Sequence, residues 1–84
     1  MTEDRPPSRR PLIPYVRARM DRRGISEEAL DFVLENYHTA RPAGPRGGSK
    51  PAIIYIGTWQ GRNLRVYVER DSNPPFVKTV AWED

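Results

Sequence analysis

AIIYIGTWQGRNLRVYVER, residues 52–70, breaks into two segments rich in β-branched and aromatic side chains, parted by Gln60 and Gly61. Such side chains suit a pleated, half-buried surface, so Ala52–Trp59 and Arg62–Arg70 are expected as strands. A two-residue connection makes them a hairpin in which Trp59 faces Arg62, Gly57 faces Leu64, Tyr55 faces Val66 and Ile53 faces Val68. A three-residue connection would break this correspondence. With the shorter loop, Ile53, Tyr55, Leu64, Val66 and Val68 share one face, which needs a covering layer. Ile54, Ile56, Asn63, Arg65 and Tyr67 share the other. Downstream, the DSNPP turn leads to a last strand with Phe76, Val80 and Trp82 on its core side. Val77, Thr79 and Ala81 are expected on its opposite face.

The covering layer is found upstream. Ile13, Val16 and Met20 recur at helical spacing, and Pro14 is tolerated because it falls in the first turn. Gly24 supplies the stop. Ser26 is a good N-cap for a second helix, with Glu27 and Glu28 where carboxylates favour the helix dipole. Ile25 before the cap and Leu30 after it form a hydrophobic staple. Ala29, Leu30, Val33, Leu34 and Tyr37 continue the apolar stripe. Residues 39–51, TARPAGPRGGSKP, are expected as a Gly/Pro loop, with room for a short strand near Tyr37–Arg41. The string GPRGGSK is not a phosphate-binding P-loop, because Ser49 precedes Lys50 and Pro51 follows it, leading into a strand.

These elements predict an α+β fold: two N-terminal helices on one face of a three- to four-stranded antiparallel sheet. Residues 1–11, rich in Pro and Arg, are expected as a disordered basic tail, and 12–84 as a single domain. The chain has no cysteine and one histidine, which argues against disulfides and zinc. No signal-peptide pattern and no run of roughly 20 apolar residues is present, so a reducing cytoplasm is the expected setting and no membrane partner is expected.

Charge is segregated. Residues 1–23 carry net +4, residues 24–40 net −4, residues 41–70 net +5 and residues 71–84 net −2. Twelve of the 14 cations are arginine, whose planar fork suits phosphate and stacks on bases. That is one reason to consider a polyanionic partner; arginine-rich coding is another source of the same composition. Tyr15, Arg19 and Arg22 form one stripe on the first helix, and Arg65 and Tyr67 should share a sheet face with Thr79. Arginine can stabilise a phosphorane and a phenol can move protons, so these are parts a metal-free ribonuclease can use. Mixed Arg/Tyr surfaces are also ordinary solvent faces. Arg22, Arg46 and Lys50 are candidates for phosphate contact. His38, after the second helix, is a dipole partner or a proton-transfer group. No nucleophile elbow or carboxylate pair is recognisable, and no cofactor is implied.

RARMDRRGISEEALDFVLEN (17–36), GRNLRVYVER (61–70) and VKTVAW (77–82) resemble a set of small bacterial domains of unknown function. Those domains look like a branch of the RelE/BrnT-like toxin superfamily. The resemblance covers about residues 15–82. It implies a RelE-like fold and metal-independent endoribonuclease activity through 2′-hydroxyl attack on RNA, free or ribosome-bound, with an antitoxin protein as partner. By position it marks Arg19, Arg62 and Thr79. Tyr15 stands where the pattern most often has histidine. The expected catalytic set is therefore Tyr15, Arg19, Arg62, Arg65, Tyr67 and Thr79. The alternatives are a non-catalytic nucleic-acid-binding module and a protein-interaction module using Ile54, Ile56 and Tyr67 as an apolar patch.

Overall fold

The computed structural model describes residues 12–43, 51–72 and 74–83. The expected tail at 1–11, and with it Arg46 and Lys50 of the Gly/Pro loop, lies outside the described residues. Two helices, α1 (Pro14–Arg23) and α2 (Glu27–Asn36), precede four strands: β1 (Thr39–Ala43), β2 (Ala52–Trp59), β3 (Arg62–Glu69) and β4 (Val77–Glu83). The strands form one antiparallel sheet in the order β1-β2-β3-β4. The fold is α+β.

Local chemistry sets the helix ends. Gly24 adopts φ 69°, the left-handed conformation that glycine enters without a Cβ penalty, and closes α1. The Ser26 hydroxyl accepts a hydrogen bond from the Ala29 amide at 3.0 Å, satisfying a donor at the start of α2. Arg17 of α1 reaches Glu27 of α2 at 3.1 Å across an exposed gap. The staple residues Ile25 and Leu30 both join the core, with Val16, Met20, Ala29 and Val33 from the helices.

The hairpin has the two-residue connection. Trp59 pairs with Arg62 and the register runs back through Gly57 with Leu64, Tyr55 with Val66 and Ile53 with Val68. Gln60 and Gly61 both have positive φ, 50° and 83°, as the tightest hairpin turns require. Leu64, Val66, Val68, Val77 and Val80 complete the core from the sheet side. α1 packs against β4, and α2 against β2 and β3. Val33 sits over Gly57, Phe32 meets Trp59 with ring centres 5.3 Å apart, and Tyr37 meets Tyr55 at 4.7 Å.

Two expectations are corrected. The short strand allowed near Tyr37–Arg41 runs instead over Thr39–Ala43, further into the expected loop; it is an edge strand, where Pro42 is tolerated, and it buries too little to leave a periodic pattern. Val77 belongs to the core. A register shift between Tyr67 and Val68 leaves Lys78 as the extra residue, so Thr79 pairs with Tyr67 while Val77 pairs with Val68 on the helix side. Among the described residues, no helix is long and apolar enough to cross a membrane.

Candidate functional site

The helices cover one face of the sheet and leave the other without a layer of secondary structure among the described residues. On that open face the register sets side chains in rows. Thr39, Ile56, Arg65 and Ala81 make one row across the four strands; Arg41, Ile54, Tyr67 and Thr79 make the next. Arg65, Tyr67 and Thr79 are thus neighbours, as their strand positions led one to expect. Two polar atoms here are anomalous. Arg65 Nε and Thr79 Oγ1 are shut away from solvent yet make no hydrogen bond. Leaving such a group unsatisfied costs about 1–3 kcal/mol, so each calls for an explanation.

Ile54 and Ile56 do not form an exposed apolar patch. They are 8% and 3% exposed although they point away from the helical core. Arg41 on β1 and Glu83 on β4 come from opposite edges of the sheet and approach to 4.0 Å. On a flat sheet three strand spacings of about 4.8 Å, together with the offset between the rows of Arg41 and Glu83, would hold the two side chains out of reach, so twist and curl of the sheet bring its edges together on this side. Thr39, Arg65 and Tyr67 share that face with the two isoleucines. The expected apolar docking patch is therefore withdrawn.

Tyr15 and Arg19 sit elsewhere, along the edge of β4. Arg19 Nε donates to the Val80 carbonyl at 3.1 Å, and an Arg19 NH group donates to the Tyr15 hydroxyl at 2.7 Å. Val80 adjoins Thr79, so this pair borders the open face at its β4 margin. Arg22 is exposed on the same helix. Arg62 is not on the open face. It lies one register step from Leu64 on the helix side of β3, with its guanidinium 4.0 Å from the centre of the Trp82 ring. Trp82 in turn donates through Nε1 to the Arg23 carbonyl at 2.8 Å. Arg62 and Arg65 lie on opposite faces of β3, so of the expected catalytic set Arg62 is set apart from Arg65, Tyr67 and Thr79.

The open face also carries polar residues outside the expected set. His38 Nδ1 is 2.9 Å from Thr39 Oγ1, and its Nε2 is 3.2 Å from Thr58 Oγ1. The Thr58 hydroxyl donates to Asn63 Oδ1 at 2.7 Å, and Asn63 Nδ2 donates to Glu83 Oε1 at 3.5 Å. His38 is thus no dipole partner, since α2 ends at Asn36 and the ring is turned to the sheet. The Thr58–Asn63 pair follows from the hairpin register; Arg41 and Glu83 left no signal, because the sequence leaves room for a short strand near Tyr37–Arg41 without giving its partner or register. Among the described residues, no group of three His, Asp or Glu side chains has the clustering a metal ion needs.

Residues 16–82 match a family described as a domain of unknown function (DUF4258). The chain belongs to that family. The DUF4258 match runs from the buried Val16 of α1 to Trp82 of β4 and so takes in Arg19, His38, Thr58, Asn63 and all four strands apart from Glu83, the last residue of β4. No curated protein and no solved structure matches the chain significantly.

Proposed function

We propose that this DUF4258 domain is a toxin-like, metal-independent endoribonuclease whose RNA lies across the open face of the sheet. The observation that carries the reading is the pair of buried, unpartnered polar atoms, Arg65 Nε and Thr79 Oγ1, flanking Tyr67 on that face. A phosphoryl oxygen is the kind of acceptor that would satisfy the guanidinium, and Thr79 can donate to another. Tyr67 is half-buried beside them, a phenol able to stack a base or pass a proton. Tyr15 and Arg19 border this site at the β4 edge. The resemblance to the RelE/BrnT-like superfamily adds the reaction: the 2′-hydroxyl attacks the adjacent phosphate, leaving a 2′,3′-cyclic phosphate and a 5′-hydroxyl. On the same footing, an antitoxin-like protein is the expected inhibitor, covering the open face.

End-labelled single-stranded RNA, incubated with the protein in EDTA with and without ribosomes, tests this directly. The expected result is cleavage to cyclic-phosphate ends, lost in Arg65→Ala and largely kept in Arg62→Ala, which alters the other face. Intact RNA under every condition, from protein shown to be folded, overturns it.

A second reading is a non-catalytic RNA-binding module. It is favoured by one contact: the Tyr15 hydroxyl, at the position the resemblance most often fills with histidine, is occupied by Arg19. Salt-dependent RNA binding without cleavage would select it.

A further inference from the structure

The chain of polar contacts across the open face has a direction, and the direction assigns a protonation state. At pH values where Glu83 is a carboxylate, its oxygens only accept, so the Asn63 amide must turn its NH2 towards Glu83 and its carbonyl towards Thr58. The Thr58 hydroxyl then spends its single proton on Asn63 Oδ1, at 2.7 Å. What remains for His38 is a Thr58 lone pair, which calls for an N–H on Nε2. A neutral imidazole with its proton on Nε2 has a free lone pair on Nδ1, and there the Thr39 hydroxyl, 2.9 Å away, donates. Glu83 on β4 thereby fixes the tautomer of His38 ahead of β1, through β3 and β2.

We propose that His38 is the general base of the open-face site, with Nδ1 as the proton acceptor and Thr58, Asn63 and Glu83 as positioning residues. The proposal rests on the ribonuclease reading above. The geometry fits it in three ways. His38 is exposed, so a substrate hydroxyl can take the place of the Thr39 hydroxyl at Nδ1. Asn63 and Arg65 alternate on one face of β3, so the chain runs one row from the guanidinium that would hold the phosphate. Holding the imidazole through its distal N–H is also how acid–base histidines are commonly oriented. In the reaction, Nδ1 takes the proton of the RNA 2′-hydroxyl as the 2′ oxygen forms its bond to phosphorus. The bond from phosphorus to the 5′ oxygen breaks, and the leaving oxygen takes a proton from Tyr67, which is reprotonated by solvent. The Nδ1 proton is then released to water. Histidine in this role replaces the base that Tyr15, tied to Arg19, does not supply.

His38 is the chain's single histidine, so a 15N-histidine-labelled sample reports its tautomer without ambiguity. The experiment combines that spectrum with cleavage and RNA-binding assays on wild type, His38→Ala, Thr58→Val and Asn63→Leu. In the wild-type spectrum of the neutral ring a single Nε2–H tautomer is expected, replaced by a mixture in Thr58→Val and Asn63→Leu. In the assays His38→Ala should lower kcat by about 100-fold or more with RNA affinity retained. Asn63→Leu should lower kcat without raising KM. An Nδ1–H tautomer or a mixture in wild type overturns the proposal, as does His38→Ala cleaving at the wild-type rate; neither result touches the ribonuclease reading. Absence of cleavage by wild type, with the single tautomer present, instead sinks the ribonuclease reading and upholds the positioning chain.

Discussion

Gln60 has φ 50°, a value that a residue with an ordinary Cβ pays to adopt, and Gly61 follows at 83°. The pair turns β2 into β3 with no loop to spare, so every register position on the open face depends on it. Asparagine tolerates left-handed φ better than glutamine, because its short amide bonds to the local backbone. Gln60→Asn should therefore raise stability by about 0.5 kcal/mol, seen as roughly 2–4 °C in the melting temperature. Gly61→Ala should do the opposite, by about 1–2 kcal/mol, although a Cβ at this position meets nothing within 4 Å. The strain is conformational, not steric contact. A melting temperature unchanged in both variants would mean the turn is not the type that the dihedral angles describe. Ser26 is the other residue whose effect is local. Its hydroxyl satisfies the Ala29 amide, and Ser26→Ala should cost about 1 kcal/mol in denaturant unfolding, without change in m.

At the scale of elements, the seating of α2 on β2 turns on one missing side chain. A Cβ on Gly57 would lie 3.2 Å from both γ-carbons of Val33, whose side chain is fully buried. Gly57→Val should push α2 outward and cost about 1–3 kcal/mol by overpacking. Gly57 is on the helix face, so RNA binding by the folded fraction should be unchanged; a variant that melts like wild type would show that α2 is not seated there. The elements also show what could be read in advance. Ser26, Gly24 and the Gln60–Gly61 connection act through their own backbone, so the helix boundaries and hairpin register were legible. Val77 was misassigned because the bulge at Lys78 depends on the partner strand. Strand β1 was legible only as room for a short strand near Tyr37–Arg41, because pairing with β2, not burial of alternate side chains, holds it in place. For the site, Arg65, Tyr67 and Thr79 were legible as one face from period-two alternation. The His38–Thr58–Asn63–Glu83 chain was not, since it joins side chains from across the sheet that no local pattern links.

Across the whole molecule, charge is sorted by element: α1 carries Arg17, Arg19, Arg22 and Arg23 against Asp21, and α2 carries acids alone. The acids of α2 (Glu27, Glu28, Asp31 and Glu35) ride on the helical layer, packed over β2 and β3. The open face, on the far side of the same strands, carries Arg65 and the Arg41–Glu83 pair. A net charge of +3 would attract a polyanion weakly to any part of the surface, whereas the proposed site requires attachment to one layer. Salt dependence separates these cases, because each phosphate contact releases condensed counterions and adds to the slope of log K against log salt. For a single-stranded RNA, Arg65→Ala should flatten that slope by about 0.7, the share of one contact. Glu28→Gln with Glu35→Gln changes the net charge by more, but on the opposite layer, and at salt concentrations near 0.15 M a screening length of about 8 Å confines its influence. That double variant should leave the slope as in wild type. If instead it changed affinity more than Arg65→Ala did, binding would follow total charge, and the open face would lose its claim to the RNA.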